Sequence, residues 1–343
     1  MRIRRDIRFA DLTTLRVGGP ARCLIDATSQ QEIVDAVLDC DDRREPLLIL
    51  GGGSNLVVSD TGFPGTVVRV GNRGIDTQRT DDAVELTVQA GEPWDAVVAR
   101  TVRDGLAGFE CLSGIPGLTG ATPMQNVGAY GQEVAETVRV VDVLDRQRRS
   151  VVQFTSEECG FGYRTSVFKG ADRYAVLAVT FALQVSDVSR PVRYAELAHA
   201  LGIAVSDCAP LHAVRETVLA LRRRKGMLLD PADPDTVSAG SFFTNPVLSP
   251  AVAAGLPAAA PRWPHSDGSV KTSAAWLIEQ AGFGKGYGNG RARISTKHTL
   301  ALTNRGGATT EELLGLARTV RDGVRSRFDI DLVNEPVLIG AML

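Results

Sequence analysis

Residues 114–131 read GIPGLTGATPMQNVGAYG, a run that contains five glycines and two prolines. Such a composition buries little apolar surface, so the run needs something other than a hydrophobic core to order it. Glycines let the backbone approach a ligand closely, and their amide groups can bind a pyrophosphate. A long loop in a compact domain is usually functional or disordered. Because the flanking segments have strand and helix patterns, we predict an ordered loop that binds a phosphate-bearing ligand.

A second glycine cluster, Gly51–Asn55, follows a short apolar strand. It departs from the G-x-G-x-x-G pattern of dinucleotide-binding folds, because Leu56 occupies the third glycine position and a strand rather than a helix follows. The segment Gly284–Gly286 is not a P-loop either, because its lysine precedes a glycine instead of Ser or Thr. The amides of a tight turn can still bind an anion. A glycine-rich turn without a ligand is an equally good interpretation of Gly51–Asn55.

The overall composition is that of an ordinary globular protein of 343 residues, long enough for two or three subdomains. A net charge of −2 provides no positive field for nucleic acid. The charged segment 1–8 lacks the apolar core of a secretory signal, and no apolar run approaches the ~18 residues of a membrane span. The five scattered cysteines argue for reduced thiols and against disulfides or a metal site. We therefore expect a cytoplasmic protein without membrane insertion.

Hydrophobic periodicity and capping residues predict an α+β protein, because helices and strands do not alternate as in a doubly wound sheet. Ser29 with Glu32, and Thr309 with Glu312, have the spacing of capping boxes. A stretch rich in Pro, Gly, Ala and Ser begins near residue 226 and indicates a boundary there. The predicted helices are Ser29–Asp39, Pro93–Gly105, Leu211–Arg224, Thr272–Ala281 and Thr309–Phe328. The predicted strands are Leu47–Leu50, Thr66–Val70, Val84–Val88, a hairpin of Val138–Leu144 with Val151–Phe154, Tyr174–Leu183 and Val337–Ile339.

Several motifs, taken in order, resemble the UDP-N-acetylenolpyruvoylglucosamine reductase family, in the subtype that has a tyrosine-bearing substrate loop. Each glycine loop alone is moderately specific, whereas the ordered set is highly specific and extends over nearly the whole chain. The matching segments are Gly51–Asn55, Ile115–Gly117, Gln125–Gly131, Phe161–Ser166, Arg222–Lys225, Ala239–Pro246, Asp267–Lys271 and Asn334–Pro336.

This resemblance implies a two-subdomain FAD-binding fold of the p-cresol-methylhydroxylase type and a C-terminal α+β substrate-binding domain. We expect the first FAD-binding subdomain at 1–65, the second at 66–226 and the substrate domain at 227–336, with 337–343 returning to the first. The four histidines lie outside both glycine loops, so we expect FAD to be bound non-covalently. No oligomer is implied, and we expect a monomer.

The resemblance also implies the reaction. NADPH reduces FAD, and the reduced flavin gives hydride to the vinyl carbon of UDP-N-acetylglucosamine enolpyruvate, which yields UDP-N-acetylmuramate for peptidoglycan and hence for cell shape and division. Three residues match the family's catalytic set. Arg164 would stabilise the charge that grows on the substrate carboxylate, Ser241 would protonate C2, and Glu335 would assist either in its protonated form or by orienting a neighbour. Taken without the family, Arg164 is a surface ion-pair partner, Ser241 a cap or turn residue and Glu335 a solvated carboxylate.

Further residues are implied to bind cofactor or substrate. Those for FAD are Leu50, Gly51, Gly52, Gly53, Ser54, Asn55, Gly114, Ile115, Pro116, Gly117, Gly120, Ala121, Gln125, Asn126, Gly128, Ala129, Tyr130, Gly131, Tyr163 and Arg222. Those for the UDP substrate are Tyr194, Lys225, Asn245, Trp263 and Lys271. Taken alone, the run Arg222–Lys225 is only a basic helix end that compensates the helix dipole.

Two positions depart from some relatives. Trp263 stands where those have a tyrosine near the diphosphate, and it keeps a donor and a stacking face but loses the acceptor. Val337 stands where an arginine occurs, so one flavin contact is expected to be missing. Two other functions remain possible at this stage. One is a FAD-dependent sugar or alcohol oxidase of the same fold, and the other is a non-enzymatic nucleotide-sugar binding module.

Overall fold

The structure is a computed structural model that describes residues 1–79 and 83–343. In these ranges the helices are α1 (Gln30–Asp42), α2 (Trp94–Arg103), α3 (Ala195–Leu201), α4 (Leu211–Arg224), α5 (Pro250–Ala254), α6 (Ala274–Gln280) and α7 (Thr310–Phe328). The strands are β1 (Arg2–Arg8), β2 (Pro20–Ala27), β3 (Leu47–Leu50), β4 (Leu56–Val58), β5 (Phe63–Val70), β6 (Ile75–Arg79), β7 (Val84–Gln89), β8 (Leu106–Ala107), β9 (Gly128–Ala129), β10 (Gln132–Glu133), β11 (Val138–Asp145), β12 (Ser150–Thr155), β13 (Tyr174–Val185), β14 (Ser238–Ser241), β15 (Val247–Leu248), β16 (Arg262–Pro264), β17 (Val270–Thr272), β18 (Ala292–Ile294), β19 (Ala301–Asn304) and β20 (Val337–Ile339).

The chain forms two compact units. Unit 1 contains Met1–Ile7, Ala21–Gly52 and Pro64–Arg224, and unit 2 contains Arg8–Pro20, Gly53–Phe63 and Lys225–Leu343. The change of unit after Arg224 lies next to the compositional break near 226. Two N-terminal segments belong to unit 2, which the sequence did not indicate. The division into three subdomains with a boundary at 65 stays a prediction.

In its described residues, unit 1 contains two larger sheets and a two-stranded sheet of β9 and β10. The larger one has the order β12-β11-β13-β7-β6, and the pairings that join these strands are antiparallel. The second has the order β1-β2-β5-β3, in which β3 and β5 run parallel. Trp94, Phe109 and Phe181 are fully buried and pack edge-on or tilted against one another, with ring centroids 4.9–5.8 Å apart. Helix α2 therefore packs against the main sheet at the point where the glycine-rich loop begins.

Unit 2 contains three short sheets and the helices α5, α6 and α7. β14-β19-β18 and β15-β17-β16 are antiparallel, whereas β20 pairs in parallel with β4. Leu313, Ala317 and Val320 of α7 are fully buried in the core of this unit, as their spacing predicts. Asp60 accepts the amides of Thr310 and Glu311 at 2.8 and 3.1 Å, and so caps the positive end of α7.

The predicted elements exist in the structure, with small changes at their ends. Helix α4 has the predicted bounds, and the capping box of Thr309 with Glu312 is confirmed. The box predicted at Ser29 is only half correct. Ser29 accepts the Glu32 amide, but the Glu32 carboxylate accepts the amide of Thr28 instead of that of Ser29. The five cysteines are free thiols, as predicted. Among the described residues, no helix is both long and apolar enough to cross a membrane.

Candidate active site

The glycine-rich loop 114–131 is ordered by hydrogen bonds to the segment that leads into α2. Gly120 donates its amide to the Ala90 carbonyl at 2.9 Å, and Trp94 donates to the Gly117 carbonyl at 3.0 Å. A Cβ atom on Gly120 would lie 2.5 Å from the Cβ of Ala90, so only glycine fits there. The prediction of an ordered loop is therefore confirmed. Backbone hydrogen bonds to residues 90–94 hold the first half of the loop in place.

The two predicted glycine clusters meet in unit 1. A Cβ atom on Gly52 would lie 2.8 Å from the Cα of Gly117, a separation that real side chains do not adopt. On Gly51, by contrast, a Cβ atom would lie 3.9 Å from the Cβ of Ala121, which is ordinary contact. The absence of a side chain at Gly52 thus lets the two loops pack closely, whereas a Cβ atom would fit at Gly51 without a clash.

The rest of the first cluster belongs to unit 2 and has a different environment. Gly53 has a φ of 63°, and a Cβ atom there would lie 2.0 Å from the Leu12 carbonyl oxygen. Asn55 accepts the amide of Val337 at 2.9 Å and donates its side-chain amide to the Glu335 carbonyl at 3.4 Å. Asn55 therefore secures the backbone that carries Glu335.

Arg164 lies on a tight turn beside the second half of the loop. Its φ of 54° places it in the left-handed region, within the bridge that joins Gly162 to Thr165. The Arg164 guanidinium donates to the Gly128 carbonyl at 2.8 Å, and Asn126 donates to the Gly162 carbonyl at 3.1 Å. These bonds bring Arg164 against the glycine loop, so it is more than a surface ion-pair partner.

The loop ends beside an aromatic pair. Tyr130 and Tyr194 pack edge to face, with ring centroids 5.5 Å apart. Burial raises the pKa of Tyr130 to about 12, although the nearby charge of Arg222 acts in the opposite direction. Arg222 itself is buried, at 8% exposure, and this burial lowers its pKa. Arg222 is therefore buried at the end of α4 rather than exposed to solvent.

Ser241 and Glu335 are close neighbours in unit 2. Glu335 donates its backbone amide to the Phe242 carbonyl at 2.8 Å, and Phe243 forms a β-bridge with Asn334. Ser241 ends strand β14 and is partly buried, so a helix cap is the wrong interpretation of this serine. Glu335 is also partly buried rather than fully solvated.

The predicted substrate residues of unit 2 surround one small sheet. Lys271 pairs across the strands with both Trp263 and Val247, which places these three side chains on one face. Trp263 is 46% exposed, so its indole is accessible on that face. Asn245 accepts the amide of Ala274 at 3.0 Å through Oδ1, and therefore only its Nδ2 group can donate to a ligand.

Lys225 is the first residue of the last segment of unit 2, and the residues after it fold onto a buried carboxylate. Gly226 has a φ of 66°, and a Cβ atom there would lie 3.1 Å from the Cβ of Asp235. Asp235 accepts the amide of Thr296 at 2.8 Å and a guanidinium N–H of Arg305 at 3.0 Å. Burial would raise the pKa of Asp235, but the hydrogen bonds from Thr296 and the charge of Arg305 lower it overall.

Known proteins are similar to this chain over nearly its whole length. A family model described as the C-terminal domain of UDP-N-acetylenolpyruvoylglucosamine reductase matches residues 231–339, and one described as an FAD binding domain matches residues 21–152. A UDP-N-acetylenolpyruvoylglucosamine reductase of Thermobifida fusca is 56% identical over 350 residues, covering 99% of this chain and 98% of that protein. The chain belongs to the UDP-N-acetylenolpyruvoylglucosamine reductase family. It is a flavin-dependent oxidoreductase with an α+β fold, as predicted.

Other reductases of this family show the same extent of similarity. The one from Streptomyces avermitilis is 55% identical over 350 residues, covering 98% of this chain and 95% of that protein. The crystal structure of a UDP-N-acetylenolpyruvylglucosamine reductase from Thermus caldophilus is 27% identical, with a TM-score of 0.70, and 99% of each chain is covered. The family assignment favours the reductase over the oxidase and the binding module.

FAD is the cofactor of this reductase family, and the residues of unit 1 fit it. The backbones of the two glycine clusters converge at Gly52 and Gly117 without side chains between them. Arg222 provides a buried positive charge near Tyr130, at the other end of the loop. Glycines that allow close approach of the backbone and a buried guanidinium are suitable for binding a pyrophosphate. The FAD-binding match at 21–152 contains both glycine clusters.

Sequence reasoning missed two carboxylates in this reductase. Asp235 supports the segment after Lys225, and Asp95 in the first turn of α2 accepts the amide of Gly114 at 2.6 Å. An acidic residue in a first helical turn usually indicates only a favourable helix-dipole interaction. The local pattern therefore contained no signal for a long-range role of Asp95.

Proposed function

We propose that this chain catalyses the NADPH-dependent reduction of UDP-N-acetylglucosamine enolpyruvate to UDP-N-acetylmuramate. The family assignment supports the reaction class. The observation that supports the chemistry most directly is the hydrogen bond from the Glu335 amide to the Phe242 carbonyl, 2.8 Å long. It places the backbone of a carboxyl residue next to that of Ser241.

The chemistry needs a hydride at the vinyl carbon and a proton at C2. Bound FAD, once reduced by NADPH, would supply the hydride. Its addition leaves negative charge at C2, which spreads into the adjacent carboxylate. Arg164 binds that carboxylate, because a guanidinium has the charge and the planar donor geometry for it. The bond from Arg164 to the Gly128 carbonyl orients the guanidinium before substrate arrives.

Protonation of C2 is assigned to the Ser241 hydroxyl, with Glu335 as its assistant. A serine hydroxyl is a weak acid, so it donates only to a strongly basic centre such as the C2 carbanion. Glu335 assists in its protonated form, or by orienting a neighbouring group. The bonds of Asn55 to the Glu335 carbonyl and to the Val337 amide hold the backbone of this carboxyl residue in place.

The remaining residues bind the substrate or FAD. The UDP diphosphate is contacted by Lys225, Asn245, Lys271 and Trp263, with Asn245 donating through Nδ2. Tyr194 covers the substrate from the side of Tyr130. The residues of both glycine clusters contact FAD together with Tyr163 and Arg222.

Anaerobic stopped-flow absorbance of the flavin tests this function. We expect NADPH to bleach the flavin, and UDP-N-acetylglucosamine enolpyruvate to restore its absorbance faster than air does. UDP-N-acetylmuramate should appear in stoichiometric amount. Rapid peroxide formation with a sugar or an alcohol, without reoxidation by the enolpyruvate, would contradict the proposal and favour an oxidase.

A further inference from the structure

The carboxylate of Asp95 connects three parts of unit 1. It accepts the backbone amide of Gly114 at 2.6 Å and the two terminal N–H groups of Arg215 at 2.7 and 2.9 Å. Asp95 lies in the first turn of α2, Arg215 lies in α4, and Gly114 is the first residue of the glycine-rich loop. Asp95 and Arg215 are 120 positions apart in the sequence.

The Asp95 carboxylate remains ionised in this environment. Burial would raise its pKa, but the hydrogen bonds from Arg215 and Gly114 and the charges of Arg215 and Arg222 lower the pKa overall. A carboxylate that accepts two N–H groups from one guanidinium, as Asp95 does from Arg215, forms short and directional hydrogen bonds. The Gly114 amide is therefore held by a rigid and charged partner.

Gly114 also depends on this contact for its conformation. Its φ of 73° lies in the left-handed region, where the chain turns into the loop. Because its amide is directed at Asp95, it is not available to a phosphate group. Gly114 thus determines the starting direction of the loop.

We propose that Asp95 is a positioning residue of the FAD site, which acts by fixing the start of the glycine-rich loop through Gly114. The role rests on the proposed function in one respect, namely that loop 114–131 contacts FAD. Arg215 keeps the carboxylate in place and links α2 to α4.

Two substitutions of the same residue separate this role from a purely structural one. Asp95→Asn keeps an amide oxygen for the Gly114 N–H but loses the charge that pairs with Arg215. Asp95→Ala loses both. Both variants should therefore lower the melting temperature, whereas only Asp95→Ala should weaken FAD binding. We expect the Kd for FAD, measured by fluorescence titration of the FAD-free protein, to rise about tenfold or more in Asp95→Ala and less than about threefold in Asp95→Asn.

Asp104→Ala is the matched control, because Asp104 is exposed and caps the other end of α2. Its Kd for FAD should equal that of the wild type. An unchanged Kd in Asp95→Ala, or equal weakening in both Asp95 variants, would overturn the proposal.

A measurement on the unmodified protein keeps the proposal testable if Asp95→Ala does not fold. The Gly114 amide should exchange its hydrogen slowly in the FAD-free protein, since Asp95 accepts it, and fast exchange would overturn the proposal. Neither experiment needs NADPH or the UDP substrate, so both are independent of the proposed reaction. A wild-type protein that binds no FAD would instead contradict the proposed cofactor site.

Discussion

Glu335 donates its backbone amide to the carbonyl of Phe242 at 2.8 Å, one residue beyond Ser241. Two segments that are far apart in the sequence thus place a hydroxyl residue and a carboxyl residue on adjacent backbone. Phe242 and Phe243 are almost completely buried in the core of unit 2. The backbone at this position is therefore rigid, as the alignment of a proton donor requires.

The proposed proton-donor role of Ser241 predicts that Ser241→Ala separates the two half-reactions. Reduction of FAD by NADPH creates no carbanion, so flavin bleaching should proceed at its normal rate. Reoxidation by UDP-N-acetylglucosamine enolpyruvate should slow by about 10²–10⁴-fold, the usual contribution of general acid catalysis. Stopped-flow absorbance measures both rates.

Ser238→Ala is the control for that experiment. Ser238 begins the same strand and is buried, and its hydroxyl accepts the amide of Gly240 at 3.2 Å. Its loss should cost about 1 kcal/mol of stability and leave both half-reactions normal. If Ser241→Ala behaves like Ser238→Ala, the donor assignment is wrong.

Lys225→Ala should raise the KM for the UDP substrate with little change in kcat, because a lysine on a diphosphate contributes mainly to binding. The loss of a charge-assisted hydrogen bond corresponds to about 1.5–3 kcal/mol. Steady-state kinetics measure both constants. The exposed Lys285 provides a matched Lys→Ala control with no expected change, and an unaltered KM in Lys225→Ala removes Lys225 from the site.

The adjacent glycines Gly51 and Gly52 should respond differently to alanine. Gly52→Ala should destabilise the FAD-free protein by about 1–3 kcal/mol, because the new Cβ would overlap Gly117. Gly51→Ala has room in the protein, so it should leave the stability unchanged and weaken only FAD binding. Thermal unfolding and FAD titration of both variants test this. A stable Gly52→Ala protein would contradict the close approach of the two loops.

Asp145 should make the stability depend on pH in acid. Hydrogen bonds from Arg173, one of them 2.8 Å long, lower the pKa of this carboxyl from 3.8 to about 2. A pKa lowered by folding means that the free energy of unfolding gains a contribution above about pH 4, which is lost as the pH falls to about 2. The stability of Asp145→Asn should change less over this interval, as measured by denaturant unfolding. Asp76→Asn, at an exposed position of β6, should retain the pH dependence of the wild type.

Acid or heat should release all the flavin from the precipitated protein. The motivation is that the histidines at 199, 212, 265 and 298 lie outside both glycine clusters, so no histidine there can form a covalent link. Absorbance at visible wavelengths in the supernatant measures the release. A flavin that remains with the pellet would show a covalent attachment.

Local signals predicted the elements well where each signal was complete. Helix α4 has the predicted bounds because its apolar stripe is regular and Gly226, in the left-handed region, follows its end. At Thr309 the box formed, and the amide of the preceding residue Ala308 donates to Asn304 rather than to Glu312. At Ser29 the box did not form because the amide of the neighbouring Thr28 donates to the Glu32 carboxylate. Spacing in the sequence does not reveal this competing hydrogen bond.

The motifs predicted the family, but contacts between distant residues cannot be read from a local pattern. Arg164 reaches the Gly128 carbonyl, and Asp95 reaches both Gly114 and Arg215. Such contacts depend on how strands and helices pack, which spacing within one segment does not encode. The same reason explains why 8–20 and 53–63 could not be predicted to belong to unit 2, since neither segment differs in composition from its surroundings.

The parallel pairing of β4 with β20 has a consequence for how the chain folds during its synthesis on the ribosome. Asn55 and its partner Glu335 are 280 positions apart, so at about 5–20 residues per second a ribosome needs roughly 15–60 s between them. During this interval β4 has an unsatisfied edge, and Leu15, Val17 and Val57 lack the core into which they later pack. Unit 2 cannot complete its folding before β20 has been synthesised. A fragment that starts at 225 lacks these three residues, so its core is incomplete however long it is given to fold.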